Sequence, residues 1–250
     1  MVEMMALDVA NMKLTLIICA VIAIIVYLRG LLTLTGTLAA FSLGMLIGIF
    51  GGFPWIFILL IFLITSFLST KYKFSVKEKL GVQEGVKGER RTRNVLATGS
   101  VPTTIAVVYG LGMLTEKTAV TLYLTSIGVA ASDTLASELG VLSPNTYLIT
   151  NFKRVKPGTN GGISLYGEFW AFIASIYVAA MGLYILDILQ GIGPTLWQFS
   201  IITAFGFIGC QIDSLLGATI EKRGLVGKHG VNFISSLATV IIMLVVLWAW

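Results

Sequence analysis

The stretch FPWIFILLIFLITSFLST, residues 53–70, contains no charged side chain over its whole length. An α-helix of roughly 17–25 apolar residues is long enough to cross the hydrocarbon core of a bilayer. A strand of a transmembrane barrel would instead alternate apolar and polar residues. The stretch therefore predicts a transmembrane helix.

Similar apolar runs recur along the whole chain. Hydrophobic residues make up 56% of the 250 residues and charged residues 12%, whereas charged residues are about 25% of a typical soluble domain. We therefore expect an all-α fold, a polytopic transmembrane helical bundle with about seven to eight spans. The candidate spans are 14–28, 31–50, 53–70, 95–114, 119–138, 167–189, 195–220 and 231–249.

These spans predict a single integral membrane domain over residues 1–250. Only Arg29 with Gly30, and Gly51 with Gly52, separate the first three spans, which leaves no room there for a second domain. The first span also fits an uncleaved signal-anchor. No small-residue cleavage site follows it, so we expect it to remain in the mature protein.

The distribution of basic residues predicts the orientation in the membrane. When the chain is threaded through these spans, fifteen of the seventeen Lys and Arg residues fall on one side, and only Lys13 and Lys117 fall on the other. Cytoplasmic loops carry an excess of Lys and Arg. This rule places the loops 71–93, 139–166 and 221–230 in the cytoplasm and both termini outside. Attraction to anionic lipids alone would explain the same charges without any ligand.

Histidine and cysteine usage argues against two kinds of site. His229 is the only histidine, and Cys19 and Cys210 both lie inside apolar spans. A zinc site needs several such ligands at close spacing, and a Ser-His-Asp hydrolase needs a histidine beside its nucleophile. We therefore expect neither.

Carboxylates inside the predicted spans are the first candidates for function. Asp133 and Glu138 lie in SDTLASELG, residues 132–140, and Asp213 lies in the matching part of the seventh span. A charged group at such depth is costly unless it is paired or bound to a metal. A structural hydrogen bond between helices would explain the same residues. The DTL and DSL triplets, about 80 residues apart, also suggest a short internal repeat.

A glycine-rich loop before the sixth span has the composition of an anion cradle. Residues 153–168, KRVKPGTNGGISLYGE, begin with three cations and continue with glycines, hydroxyls and an amide. Glycine lets backbone N–H groups approach phosphate oxygens, and the following helix contributes the positive end of its dipole. The chain contains no Walker-type phosphate loop. An ordinary helix-capping turn would have a similar composition.

Two further segments place an amide side chain at the start of a helix. RRTRN, residues 90–94, precedes the fourth span and contains Arg91 and Asn94. GVNFISS, residues 230–236, opens the eighth span and contains Asn232. Asn at such a position either caps the helix or binds a ligand. Because both segments fall on the same side as the carboxylates and the glycine-rich loop, we expect one site there.

Taken in order, these motifs resemble a known family. RRTRN, SDTLASELG, KPGTNGGIS, DSLLGA and VNFISS are similar to motifs of the phytyl-phosphate and prenyl-phosphate kinases. That family of integral membrane proteins comprises plant kinases of vitamin E synthesis and archaeal, bacterial and animal transmembrane relatives. The resemblance makes residues 88–250 the family-like catalytic core, and the helices within 14–70 carry no matched motif.

The resemblance implies a CTP-dependent prenyl (phytyl or geranylgeranyl) phosphate kinase, which makes the prenyl diphosphate from the monophosphate with Mg²⁺. Under this interpretation Asp133 and Asp213 bind the metal, with Glu138 as a second choice. The expected catalytic residues are Asp133, Asp213, Lys153 and Asn94. The expected substrate- or nucleotide-binding residues are Arg91, Ser132, Ser137, Lys156, Gly158, Thr159, Asn160, Gly161, Gly162, Ser164 and Asn232.

The implied partners are a prenyl monophosphate, CTP and membrane lipids, with no nucleic acid. We expect a multi-pass protein of the cell membrane with cytoplasmic catalytic loops, and we expect small residues of the span 119–138 to shape a groove for the isoprenoid tail. The sequence leaves the prenyl chain length and the oligomeric state undecided.

Three rival functions remain open at the level of sequence. A CTP-dependent lipid cytidylyltransferase would use a similar site but release pyrophosphate. A transporter would need polar groups near the midplane that are reachable from both sides. A non-catalytic lipid-binding protein would bind prenyl phosphate and leave CTP intact.

Overall fold

The computed structural model describes residues 9–249. Each of the eight predicted spans corresponds to a long helix, and a ninth, short helix lies in the loop 71–93. The helices are α1 (Val9–Leu28), α2 (Leu34–Phe50), α3 (Phe53–Lys71), α4 (Phe74–Leu80), α5 (Thr92–Gly110), α6 (Glu116–Gly140), α7 (Leu165–Gln190), α8 (Leu196–Leu216) and α9 (Lys228–Trp248). The predicted class, an all-α transmembrane bundle, is confirmed.

Within residues 9–249, six of the helical segments are long and apolar enough to cross a membrane. They are α1, α3, α6, α7, α9, and α8 together with the turn that continues it to Glu221. Helix α2 has 17 residues and is short for a span. Helix α5 carries Pro102 and several hydroxyl side chains. The count of seven to eight spans therefore stays a prediction.

Four of the long helices begin at a hydroxyl side chain that caps them. The side chains of Thr33, Thr115, Ser164 and Thr195 each accept a hydrogen bond from the backbone N–H three residues further on. The first N–H groups of a helix have no partner within the helix, and a Ser or Thr side chain supplies one. These caps fix where α2, α6, α7 and α8 start.

Helix α6 is the centre of the bundle. It packs against α3, α5, α7, α8 and α9, and it is buried along most of its length. Its small residues permit this packing: Gly128 lies so close to Gly206 of α8 that a Cβ on Gly206 would come within 3.3 Å of the Gly128 backbone. The two helices run in the same direction, and Asp133 and Asp213 lie one to two turns beyond this crossing.

The loops at one end of the bundle contain most of the basic residues, and we call this the basic end. The loop after α6 forms a three-stranded antiparallel sheet of β1 (Thr146–Leu148), β2 (Arg154–Val155) and β3 (Gly162–Ile163), in the order β2-β1-β3. Helix α8 continues into a π-helical turn, Gly217–Glu221. The sequence did not predict this sheet, because strands of two or three residues are too short to show an alternating pattern.

The opposite end is closed by aromatic and amide side chains. The rings of Trp55 and Tyr109 stack with centroids 5.6 Å apart. The Tyr123 hydroxyl donates to the Trp55 carbonyl at 2.8 Å, and the indole N–H of Trp55 donates to the side-chain oxygen of Gln190 at 3.2 Å. These contacts tie α3, α5, α6 and α7 together away from the basic end.

Candidate active site at the basic end of the bundle

A cleft of about 260 Å³ opens between the ends of α6, α8 and α9 and the loop that carries the sheet. We call it the polar cleft. The structure brings eleven of the sequence-predicted site residues to its walls. They are Asp133, Ser137, Glu138, Gly158, Thr159, Asn160, Gly161, Gly162, Ser164, Asp213 and Asn232.

Asp133 and Asp213 face each other in this cleft, close enough to interact directly. The amide of Asn232 donates a hydrogen bond to Asp133 Oδ2 at 3.1 Å. The hydroxyl of Ser235 donates to Asp213 Oδ2 at 2.9 Å. Both donors lie on α9, one turn apart, so this helix orients both carboxylates. The two carboxylates also contact each other directly, so Asn232, Ser235 and the pair itself form one polar network.

The polar cleft is strongly acidic. Six carboxylates line it, and Lys228 is its only basic side chain among the residues described. The six are Glu84, Asp133, Glu138, Glu168, Asp213 and Glu221. A bare polyphosphate would be repelled by this field, because like charges at short range raise the energy of both. An anionic ligand therefore needs accompanying cations to enter.

Glu138 is held by an ion pair on the inner side of the cleft. Its Oε2 lies 2.6 Å from the Nζ atom of Lys77, and its Oε1 accepts a hydrogen bond from Thr70 at 2.9 Å. Lys77 is fully buried and also donates to the carbonyl of Ser69 at 2.7 Å. Both Glu138 oxygens are thus engaged by other side chains, and its role as a metal ligand, ranked after Asp133 and Asp213, stays a prediction. The sequence analysis did not single out Lys77, because many residues of the 71–93 loop are Lys or Arg and nothing in the pattern distinguishes this one.

Glu84 joins two residues that start different helices. Its Oε1 accepts a hydrogen bond from the Asn94 amide at 2.9 Å, and its Oε2 lies 3.2 Å from Lys228 Nζ. Burial would raise the pKa of Glu84, but the charge of Lys228 and the hydrogen bonds from Asn94 and Lys228 outweigh it and hold this pKa below its ordinary value. Asn94 also accepts from the backbone N–H of Arg91 at 3.1 Å, so it caps α5. No motif in the sequence pointed to Glu84.

The predicted phosphate-binding cations do not line the polar cleft. Lys153 and Lys156 are exposed and flank the edge strand β2, and Arg91 is exposed at the start of α5. Their positive charges suggested an anion-binding site in the sequence, but the fold places these side chains outside the polar cleft. Arg90, the neighbour of Arg91, instead lines a small cavity of about 30 Å³ that it shares with Asn94 and Asp133.

Two of the predicted serines have structural partners. The Ser132 hydroxyl is buried and donates to the Ala171 carbonyl at 2.8 Å, so it joins α6 to α7. The Ser164 hydroxyl caps α7 and donates to the Gly140 carbonyl at 3.2 Å. Ser137 is exposed in the cleft wall, and its hydroxyl donates to the Thr134 carbonyl at 3.2 Å. Of the three, Ser137 is the one most accessible to a ligand.

The glycine-rich loop packs backbone to backbone against the end of α8. A Cβ on Gly161 would lie 2.4 Å from the Cβ of Ala218, and Gly161 has φ +71°. Gly158 has φ +81°, also in the region that favours glycine. Glycine at these two positions therefore permits the backbone conformation of the loop, and at Gly161 also the close contact with Ala218. In this position the loop lines the polar cleft.

The fold and this cleft define a class: a multi-pass helical membrane protein with an acidic, glycine-lined site at one end. The chain belongs to the family described as integral membrane protein DUF92, whose model matches residues 17–240. The resemblance seen in the motifs is confirmed at this level. No solved structure shows a significant match to the chain.

Relatives occur in archaea, plants and cyanobacteria. An uncharacterized membrane protein of Methanocaldococcus jannaschii is 30% identical, over 89% of this chain and 88% of the relative. Protein PGR of Arabidopsis thaliana is 32% identical, over 89% of this chain and 91% of the relative. Protein VTE6, chloroplastic, of Arabidopsis thaliana is 29% identical, over 77% of this chain and 57% of the relative.

Proposed function

We propose that this protein is a prenyl-phosphate kinase, which transfers the terminal phosphoryl group of CTP to a prenyl monophosphate in the membrane. The observation that carries the proposal is the pair Asp133 and Asp213, held by Asn232 and Ser235 inside the acidic polar cleft at the basic end of the bundle. The motif resemblance to the phytyl-phosphate kinases supports the choice of substrate and donor.

The donor set of the cleft fits Mg²⁺. It offers carboxylate, amide and hydroxyl oxygens, which this hard cation prefers. Among residues 9–249 no cluster of three or more His, Cys, Asp or Glu side chains could hold a metal by itself. Mg²⁺ is commonly bound by one or two carboxylates together with substrate phosphates. Asp133 and Asp213 would hold it, and when bound it would neutralise charge on the phosphates.

The acceptor needs no general base. A phosphate monoester has a second pKa of about 6, so it is largely a dianion at neutral pH. An acceptor oxygen forms a bond to the terminal phosphorus of CTP while the bond from that phosphorus to the bridging oxygen breaks. The electron pair leaves on the β-phosphate of CDP, and no proton has to move.

The chain's own residues would position the two substrates. Backbone N–H groups of the loop 158–162 would face the nucleotide phosphates, and Asn232 and Ser235 would keep the two carboxylates in fixed orientations. Positioning of this kind and charge neutralisation account for most of phosphoryl-transfer catalysis. Glu168, which accepts from the Gln211 amide at 2.7 Å, and Glu221 add negative charge near the pair.

The basic end would face the cytoplasm, where nucleotides are available. The loops of this end carry most of the Lys and Arg residues, as the cytoplasmic loops of membrane proteins do. The membrane would be that of the cell, and the site would lie at the lipid surface where a prenyl phosphate presents its head group.

A product assay tests the proposal. Purified protein in detergent is incubated with phytyl phosphate, Mg²⁺ and one nucleoside triphosphate at a time, and products are identified by mass spectrometry. Phytyl diphosphate with CDP is expected, and its formation should stop when the metal is chelated. A CMP-linked lipid with pyrophosphate would make the protein a cytidylyltransferase. Binding of phytyl phosphate without turnover of any donor would leave a lipid-binding protein or a transporter.

A further inference from the structure

A second cavity lies among the three N-terminal helices, for which the sequence offered no function. It is a partly open cavity of about 120 Å³ between α1, α2, α3 and α5. Its walls are apolar except for Thr37, Ser66, Thr98 and Arg90. We call it the apolar chamber. The central helix α6, where the sequence predicted a groove for an isoprenoid tail, contributes none of its walls.

One small cavity, which we call the connecting cavity, lies between the apolar chamber and the polar cleft and shares wall residues with each. Arg90 and Thr98 line both the chamber and this connecting cavity. The connecting cavity in turn shares Asp133, Lys228 and Asn232 with the polar cleft. An amphipathic molecule with its hydrocarbon among α1–α3 would therefore have its head group near Arg90, on the side of the chamber that is closest to the carboxylate pair.

Arg90 is fixed at the mouth of the chamber by its backbone. Its N–H donates to the Leu31 carbonyl at 3.0 Å, and its carbonyl accepts from the Thr33 N–H at 3.1 Å. In the part of the chain that the structure describes, its guanidinium makes no hydrogen bond, although Glu84 and Asp133 are near enough to interact electrostatically. The guanidinium has five donors suited to a phosphate.

Two buried hydroxyls also lack partners on the chamber wall. Thr37 is 6% exposed and Ser66 is 1% exposed, and neither hydroxyl oxygen has a hydrogen-bond partner among the residues described. Buried hydroxyls in folded proteins are ordinarily hydrogen-bonded. A hydrocarbon chain cannot supply the missing partners, so a polar head group or water would have to do so.

The chamber has a definite depth. On α2 its walls run from Thr37 to Ile47, and on α3 from Ile56 to Ser66, a rise of ten residue steps in each case. Ten residues of α-helix span about 15 Å. An extended chain advances roughly 1.2 Å per bond, as the peptide backbone does with three bonds per residue. The chamber therefore matches about twelve bonds, or about three isoprene units.

We infer that the apolar chamber binds the isoprenoid chain of the acceptor and that Arg90 contacts its phosphate on the way to the polar cleft. The inference rests on the proposed function for the identity of the acceptor. Since the tail is already surrounded by hydrocarbon in the membrane, the chamber adds little hydrophobic driving force. Its contribution is position: it sets the phosphate beside Asp133 and Asp213.

Photolabelling without nucleotide tests this inference separately from catalysis. The probe is farnesyl monophosphate with a diazirine on its last isoprene unit, and the protein is the full chain in phosphatidylcholine nanodiscs. We expect label on residues 43–47 of α2 and 56–60 of α3, competed by unlabelled farnesyl phosphate and not by inorganic phosphate. A phosphatidylcholine probe with a terminal diazirine should label the outer helix faces instead.

Two matched pairs of variants sharpen the test. Ala40→Trp fills the chamber, whereas Ala39→Trp changes a neighbour that does not line it. Labelling should fall by about tenfold in the first and stay unchanged in the second. Arg90→Gln should weaken competition by farnesyl phosphate relative to farnesol, and Arg93→Gln, at an exposed position, should not. Circular dichroism and size-exclusion profiles establish that each variant is folded.

The outcomes distinguish the two proposals. Label confined to outward-facing residues, or label that farnesyl phosphate does not displace, would overturn the chamber inference even if the protein is a kinase. Equal labelling by the phosphatidylcholine probe would show a site for resident membrane lipid only and would also overturn it. Displaceable label in the chamber without any phosphoryl transfer would sustain this inference and refute the kinase.

Discussion

The Nζ atom of Lys77 lies 2.6 Å from Oε2 of Glu138, and the lysine is fully buried. This ion pair joins α4 to the end of α6 beside the polar cleft. Removing one partner of a buried pair leaves an uncompensated charge, which costs about 3–5 kcal/mol. We expect Lys77→Met to lower the unfolding free energy by this amount in detergent.

The control is Lys79→Met, because Lys79 is exposed on the same helix. The double variant Lys77→Met/Glu138→Leu should recover most of the lost stability, since it removes both charges. It should also keep Mg²⁺-dependent activity if Glu138 is structural. A loss of stability in Lys77→Met no larger than that in Lys79→Met would refute the buried pair.

The hydrogen bond from Ser235 to Asp213 predicts a change in metal requirement. Side chains that orient a metal ligand typically contribute about 10–100-fold to metal affinity. Ser235→Ala should therefore raise the Mg²⁺ concentration for half-maximal turnover by about tenfold or more. Ser236→Ala is the matched control, because Ser236 is also buried but has no hydrogen-bond partner among the residues described. Equal metal dependence in both variants would show that the Ser235 hydroxyl does not orient a metal ligand.

The contact between Gly161 and Ala218 predicts the effect of a single methyl group. Gly161→Ala should displace the glycine-rich loop from the end of α8 and reduce turnover, because the new Cβ would lie 2.4 Å from the Ala218 Cβ. Gly191→Ala is the matched control. Its backbone strain is the same, because φ is +69° at Gly191 and +71° at Gly161, but a Cβ at Gly191 would have no atom within 4 Å. If the two variants lose turnover equally, strain rather than packing against α8 is responsible.

The lowered pKa of Glu84 predicts a pH-dependent contribution to stability. Its folded pKa lies below its ordinary value, so its stabilising effect is complete above about 4.3, the ordinary pKa of Glu, and is lost as the pH falls through the folded value. Thermal unfolding should show Glu84→Gln to be less stable than the parent at pH 7, by about 0.5–1 kcal/mol for this partly exposed pair. The difference should shrink below about pH 4. A difference that grows on acidification would contradict the interaction with Lys228.

The helices and the carboxylate pair were predictable because their signals are local. A charge within an apolar helix stands out in the sequence, and Asp133 and Asp213 were identified in this way. Their shared position depends on Gly128 and Gly206, where α6 and α8 pack closely. The short repeat suggested such a correspondence, but only the helix crossing explains why the two residues meet.

The cations of the site could not be predicted from composition. Lys153 and Lys156 belong to a segment with many basic residues, yet the small sheet leaves both exposed. Arg90 and Lys77 lie in an equally basic loop, and tertiary contacts with the α1–α2 turn and with Glu138 determine their positions. Such contacts join residues far apart in sequence and leave no periodic signal.

Transfer of a labelled terminal phosphate would show directly whether Asp133 and Asp213 support phosphoryl transfer to a prenyl phosphate. The parent protein and the double variant Asp133→Asn/Asp213→Asn are incubated with Mg²⁺, phytyl phosphate and CTP carrying ³²P in its terminal phosphate. We expect label in phytyl diphosphate with the parent protein and no transfer with the folded double variant. Label recovered in pyrophosphate, or transfer by the double variant at the rate of the parent, would contradict it.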